Sequence, residues 1–502
     1  MAESPAVPLV PSVPPPKLAR PRAVLAGALL SMVLAALDQN IVNTALPRIA
    51  ADLGGLVHLS WVVTAFMLTA TITTTLYGRL SDIHGRRPLF FVAIGFFIAG
   101  SLACGLAQSM TQLIALRAVQ GLGAGGLLVL AQSAIGDVFS PRERPRYQGL
   151  ITGVFALASV AGPLVGGGIT TLWSWRWVFF VNLPIAALAL ILIATGLNDA
   201  KPRSRRPLDV AGVVLLAGWT ATLLLVLAWG GTRFPWASFE TLGFALAVAV
   251  LFALFVRRER RAPEPLVRIA LLHNATYARG LAIGGMMTFA MMGSTVFLPL
   301  YFQLVLGMNP ALAGAMLLPQ VAGMMLTSIV GGRIVSRLGS GRLFLRAGVA
   351  LEVVALASLG VFADIGASAP TFLVSTFVLG LGMGMGMPNL TVTVQNAVPY
   401  RELGAATGMM TFIRSLGGAL GVAASGTIMA QFLAQTGGLA AVARGAGLEA
   451  LTALERAAVE GVYHDALMWC FFLSAAVMTV AFGLIFGLPH TRLRDCVDDR
   501  AD

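Results

Sequence analysis

Stretches of about twenty predominantly apolar residues recur along the chain, and they leave few folds open to it. A helix rises 1.5 Å per residue, so about twenty such residues match the ~30 Å hydrocarbon core of a bilayer. Lipid offers no partner for backbone N–H and C=O groups, so segments of this length cross as helices. Fourteen are predicted, at 23–47, 59–78, 88–107, 111–136, 147–171, 176–197, 209–229, 238–256, 278–303, 311–335, 343–363, 370–396, 404–431 and 465–488. Only 11% of the 502 residues are charged and 57% are hydrophobic, whereas soluble domains carry roughly 25% charged residues. The chain reads as an all-α integral membrane protein whose principal partner is the lipid bilayer.

The net charge of +12 does not point to nucleic acid, because it is spread over short loops. Lysines and arginines bias loops to the cytoplasmic side. With the N-terminus inside, 27 of the 34 fall in inner segments and 5 in outer loops, while Arg117 and Arg414 lie within spans. Both termini are therefore expected in the cytoplasm, with the chain in a bacterial cytoplasmic (inner) membrane. Residues 1–22 are Pro-rich up to Pro16 and are read as a disordered tail, not a cleavable signal. Cys104, Cys470 and Cys496 form no close-spaced pair and suggest neither a disulfide framework nor a metal site.

The sequence repeats itself weakly. Leu46-Pro47 has a counterpart in Leu298-Pro299, Gly78-Arg79-Leu80-Ser81 in Gly332-Arg333-Ile334-Val335, and Gly162 to Gly167 in the run Gly417 to Gly421. The offsets agree within a few residues. The chain is predicted to hold a six-helix bundle at 23–200, two inserted helices with linkers at 201–275, a second six-helix bundle at 276–490 and a cytoplasmic tail at 491–502. Two related membrane halves around a midplane site are a transporter plan.

Three stretches carry polar chemistry. Leu37 to Pro47 places Asp38, Gln39, Asn40, Asn43 and Thr44 in an apolar span, where a charge costs at least ~2.5–3.5 kcal/mol and usually faces the bundle interior or a watery path. A polar group that only ties two helices together is the alternative. Arg117, Gln120 and Gly121 share one helix face, and Arg117 sits at a depth similar to Asp38, so the two meet if their helices are neighbours. Arg117 bonding backbone carbonyls instead is the rival reading. The loop Gly78-Arg79-Leu80-Ser81-Asp82-Ile83-His84-Gly85-Arg86-Arg87 combines turn glycines with a charge cluster at the cytoplasmic mouth.

The spacing Gly-x-Leu-x-Asp-x-x-Gly-Arg-Arg resembles the loop motif of the major facilitator superfamily. Asp38 to Pro47, Arg117 to Gly121, Gly162-Pro163-Leu164-Val165-Gly166-Gly167 and Trp175 to Pro184 resemble motifs of its fourteen-spanner drug:proton antiporters. The resemblance covers about residues 23–490. Ala158 stands where the fifth-helix motif usually opens with glycine, and Ser336 stands in the second mouth motif where the first has Asp82. The resemblance implies the major facilitator fold, with two six-helix bundles and two extra central helices. It implies proton coupling at Asp38 and Arg117, and a cytoplasmic gate at Gly78, Asp82, Gly85, Arg86 and Arg87. It also implies an antiporter kink at Gly162, Pro163, Gly166 and Gly167. Proton and substrate would each neutralise Asp38, so they would alternate.

Candidate cavity residues are Asn43, Gln120, Gln303, Asn396 and Arg414, with Glu352 a weaker intramembrane candidate. Clustered methionines and aromatics such as Met286, Met287, Phe297 and Tyr301 suit a promiscuous apolar pocket but equally fill a helix bundle. An ATP-driven pump is excluded for this chain alone, since neither Lys17 nor Lys201 lies in a phosphate-binding Gly-Lys-Ser/Thr loop. The five histidines show no metal spacing, so no enzyme, metal or cofactor is expected. The reading is a proton-driven exporter of hydrophobic or cationic small molecules, acting as a monomer. A proton-linked symporter, or a non-transporting sensor on the same scaffold, is the alternative.

Overall fold

The structure, a computed structural model, describes residues 20–53, 59–197, 209–230, 234–263, 265–308, 310–434 and 453–489. Residues 1–19 of the expected N-terminal tail, the C-terminal tail, the linker at 201–208 and residues 435–452 between the last two spans lie outside the described residues. The first half comprises α1 (Pro21–Leu53), α2 (Leu59–His84), α3 (Arg86–Gly105), α4 (Met110–Val138) and α5 (Arg144–Leu172), with a sixth crossing split into α6 (Trp177–Phe180) and α7 (Asn182–Gly196). Next come α8 (Val210–Trp229) and α9 (Phe239–Glu259). The second half holds α10 (Ala275–Thr295), α11 (Leu298–Leu304), α12 (Pro310–Ala315), α13 (Leu318–Leu338), α14 (Arg342–Asp364), α15 (Ala369–Asn396), α16 (Leu403–Ala434) and α17 (Ala453–Phe486).

Thirteen helical segments among the described residues are long and apolar enough to cross a membrane. The segment expected at 278–303 is not one of these. It is α10, which ends at Thr295, followed after a short turn by α11, whose second residue is Pro299. Proline in the first turn of a helix loses no bond that the helix needs, so a new helix starts there readily. The 21 residues of α10 still measure about 31 Å at 1.5 Å per residue.

The weak sequence repeat becomes a repeat of packing. Helix α1 lies on α5 and α7 as α10 lies on α16 and α17, while α2 and α3 flank α4 as α13 and α14 flank α15. Glycine makes these approaches possible. A Cβ on Gly123 of α4 would collide with backbone at Ala93 and Phe97, and one on Gly382 of α15 would meet Gly348 O at 2.7 Å and Glu352 N at 2.9 Å. Phe97 and Glu352 are therefore counterparts. Each half has its own apolar core, around Met32, Phe90 and Leu127 in the first and Tyr301, Phe372 and Phe471 in the second. The inserted pair α8–α9 touches the rest at Trp219, whose ring stands edge-on to Phe412 of α16 at 5.6 Å, and at Trp229, edge-on to Trp61 of α2 at 5.7 Å. Its outer face, with Val214, Leu246 and Val250, is exposed apolar surface suited to lipid.

Candidate functional site

The polar centre of the first half is closed on all sides. Asp38 is 0% exposed and Arg117 1%. Arg117 Nη1 donates to Asp38 Oδ2 at 2.7 Å, and Asp38 Oδ1 accepts from Gln120 Nε2 at 2.9 Å and Asn182 Nδ2 at 2.7 Å. Gln120 Nε2 and Asn182 Nδ2 also reach Ser101 Oγ, at 2.7 and 3.2 Å. Arg117 Nη1 donates to Gln120 Oε1 at 2.7 Å, its Nε donates to Val62 O at 3.3 Å, and its guanidinium lies 4.0 Å from the centre of the Phe66 ring. The network thus joins α1, α2, α3, α4 and α7. A charge-assisted pair of this kind is strong because each partner holds further hydrogen bonds within the network, with Asn182 Oδ1 left unpartnered beside it.

Sequence reasoning placed Asp38 beside Arg117 but missed Asn182 and Ser101. Their polarity was visible, and Asn182 even lies in the quoted stretch Trp175 to Pro184. Which helix face each would occupy depends on packing that the sequence does not print. Gln120, a cavity candidate, sits in the Asp38 network and is fully buried. The other cavity candidates do not gather at one place. Asn43 is exposed and Gln303 half-buried. Gln303 lies just beyond the far end of α10, whereas Asn396 closes α15 at the opposite end of the second half. A 28-residue helix such as α15 spans about 42 Å, so these two cannot line a common site. Arg414 Nη2 donates to Thr391 Oγ1 at 3.0 Å and Met387 O at 3.3 Å, and no acid pairs with it among the described residues.

The α5 glycine motif divides into two faces. Gly162 sits against Asn40, and Gly166 against Thr44 and Ile41, so both serve the α1–α5 seam. Gly167, grouped with them in the expected kink, has nothing within 4 Å of where its Cβ would stand. Pro163 lies inside α5, where it removes one helical hydrogen bond.

The two halves meet at the end that carries the basic loops. Asp82 Oδ1 and Oδ2 accept from the backbone N–H groups of Gly404 and Ala405, at 3.0 and 2.7 Å. A carboxylate here satisfies free donors at the start of α16 and meets the positive end of its dipole. Arg86 braces that carboxylate, donating to Asp82 Oδ1 at 2.8 Å and to Asp137 Oδ2 at 3.0 Å. Asp137 was not foreseen. Gly85, with φ +92°, makes the turn between α2 and α3 in a conformation that favours glycine. Gly78 lets α2 approach α16 where a Cβ would meet Gly404 O at 2.5 Å. The Arg87 guanidinium lies 6.0 Å from the centre of the Phe91 ring.

The second mouth uses the opposite charge. Arg142 donates to Ser336 O and Arg337 O, at 3.1 and 3.3 Å, the carbonyl end of α13. Gly332, the counterpart of Gly78, packs on the backbone of Pro145, and Ser328 Oγ donates to Thr152 Oγ1 at 2.9 Å. Thus α2 crosses to α16 and α13 crosses to α5, the same contact made twice by the two halves.

Comparison with known proteins agrees with this architecture. The family model described as Major Facilitator Superfamily matches residues 28–422. The multidrug transporter protein MdtP of Bacillus subtilis is 35% identical over 81% of this chain and 75% of its own length. Multidrug resistance protein 3 of the same organism is 33% identical over 82% of this chain and 80% of its own. Among solved structures, the human organic anion transporter MFSD10 superposes with a TM-score of 0.63 at 16% identity, covering 93% of this chain and 99% of that one. The proton:xylose symporter XylE gives a TM-score of 0.64 at 15% identity, covering 94% and 97%. At such identities the structural likeness speaks for the fold alone.

Proposed function

Since this chain belongs to the major facilitator superfamily, we propose that it is a secondary active transporter that exports hydrophobic or cationic small molecules in exchange for protons. The multidrug names of its relatives support the substrate class. The observation that carries the coupling is Asp38, a carboxylate within a spanning helix, enclosed with Arg117 and two amides. The basic loops are placed at the cytoplasmic face of a bacterial inner membrane, so the conformation described here is closed to the cytoplasm.

In the proposed cycle a proton entering from the outer side binds Asp38. The neutral acid no longer balances the charge of Arg117, whose other acceptors are Gln120 Oε1 and Val62 O. The network that ties α1 to α3, α4 and α7 rearranges, and α1 carries Asn40 and Thr44 along the glycine face of α5. The other end of α5 bears the contacts to α13 at Gly149 and Thr152. One helix therefore links the proton site to the closed mouth, and biasing a two-state equilibrium at one end biases it at the other.

The test is transport in proteoliposomes that contain a pH-reporting dye, with a lipophilic cationic dye as substrate. Counterflow of protons and dye, lost in Asp38→Asn, is expected. Proton movement in the same direction as the substrate would establish symport, and undiminished gradient-driven transport by Asp38→Asn would remove Asp38 from the coupling step.

A further inference from the structure

The second half holds an acid that this cycle does not use. Glu352 of α14 is 1% exposed, its Oε1 is buried without a hydrogen-bond partner, and among the described residues it pairs with no cation. It lies against the glycine run of α15, where a Cβ on Gly382 would meet Glu352 Cγ at 2.8 Å and one on Gly386 would meet Glu352 Oε1 at 3.2 Å. The Met287 methyl of α10 closes the same spot.

The elements around it offer nothing to balance a charge. Helix α15 has no ionisable residue from Ala369 to Asn396, α10 has none after Arg279, and α17 has none after Cys470. On α14 itself, Arg342 opens the helix, Arg346 lies 4.8 Å from the centre of the Phe486 ring, and Asp364 ends the helix. Arg414 of α16 is the nearest cation along α15, but it is bonded one turn further on, to Met387 O and Thr391 Oγ1. The repeat sharpens the contrast. The counterpart position in the first half is Phe97, an apolar core residue, so packing at this place does not call for an acid. An isolated carboxylate in such surroundings is very costly, and taking up a proton removes that cost.

We propose that Glu352 is a second proton-binding side chain, held as the neutral acid in this conformation and exchanging its proton when the α14–α15 seam opens to water. This rests on the proton-coupled reading above for its place in the cycle, but not for the protonation itself.

Infrared difference spectra of the purified protein in lipid nanodiscs separate the two. The wild type is expected to show a protonated-carboxyl C=O band, shifted in D2O, that is missing in Glu352→Gln and retained in Asp38→Asn. In proteoliposomes, Glu352→Gln is expected to move fewer protons per substrate than the wild type, with Glu352→Asp restoring the ratio. Glu352→Phe, which copies the residue of the other half, keeps the test open if the amide fails to fold. A spectrum unchanged by Glu352→Gln overturns the proposal, and so does an unchanged proton-to-substrate ratio in the Gln and Phe variants. If the band is present but Asp38→Asn transports normally, the Asp38 reading fails while the protonation of Glu352 stands.

Discussion

At Asp38 a single negative charge satisfies donors from α4 and α7, and the structure changes what its removal is expected to do. Asparagine at this position keeps one acceptor oxygen and turns an N–H2 toward groups that are themselves donors. It also leaves the Arg117 guanidinium buried without its counter-charge, and breaking a buried pair this way costs about 3–5 kcal/mol. Asp38→Asn is therefore expected to insert and fold but to melt at a lower temperature, as well as to lose proton-driven export. The double variant Asp38→Asn/Arg117→Gln removes the orphaned charge. It should recover much of the lost melting temperature without recovering transport, and the mutant cycle isolates the pair from its surroundings. Equal melting temperatures for wild type and Asp38→Asn would show that Arg117 is held by Gln120, Val62 and Phe66 alone. Asp38 and Arg117 could be paired from sequence because the 1.5 Å rise gives them similar depths and the family resemblance makes the first and fourth helices neighbours. Asn182, Ser101 and Asp137 could not, because azimuth around a helix is fixed by neighbours far away in the chain.

Helices behave differently according to which face a motif presents, and α5 makes this measurable. A methyl group on Gly166 runs into Thr44 and Ile41, whereas one on Gly167 points into open space. Gly166→Ala is expected to cut transport at least ~10-fold, since a displacement of about 1 Å can cost that much in a positioned site. Gly167→Ala should transport normally, and its better helix propensity, about 1 kcal/mol, makes it neutral or slightly stabilising. Comparable loss in both variants would mean that the motif acts through backbone flexibility rather than through the α1 seam. The inserted hairpin has its own anchor. Asp209 is buried, which opposes its charge, yet hydrogen bonds from Arg258 and from Gly212 N outweigh this and hold its carboxyl below the usual range. A lowered folded pKa contributes stability that is fully present above the unfolded value of about 3.9 and is lost as the pH falls through the folded value. The gap in melting temperature between wild type and Asp209→Asn should thus be widest near neutral pH and close in acid. Most spans were legible in the sequence because lipid enforces one length and one composition. The segment at 278–303 divided because Pro299 starts a fresh helix, a local rule that a hydropathy count does not contain.

Across the whole molecule, two halves that repeat one packing plan are joined by contacts at one end, and those contacts use the two poles of the helix dipole. Asp82 meets the N-terminus of α16, and Arg142 meets the carbonyl end of α13. The sequence showed Ser336 where a second acid was expected by symmetry, but not that the second mouth answers with a cation on a helix C-terminus. That choice belongs to the loop after α4, outside the repeated motif. The asymmetry predicts unequal consequences. Asp82 is nearly enclosed and binds two backbone N–H groups, while Arg142 is exposed to solvent, where charge interactions are screened and weak. Spin labels at the exposed positions His84 and Leu338 report the separation of the two halves at this end. The wild type should give a dominant short distance. Asp82→Asn keeps one acceptor but removes the charge that the α16 dipole and Arg86 favour, and it should add a substantial population at longer distance. Arg142→Gln should shift the distribution much less, because Gly332 on Pro145 and Ser328 on Thr152 still hold α13 to α5. An Asp82→Asn distribution indistinguishable from the wild type would show that apolar and glycine packing between α2 and α16, and not the charge at the helix start, keeps this mouth closed.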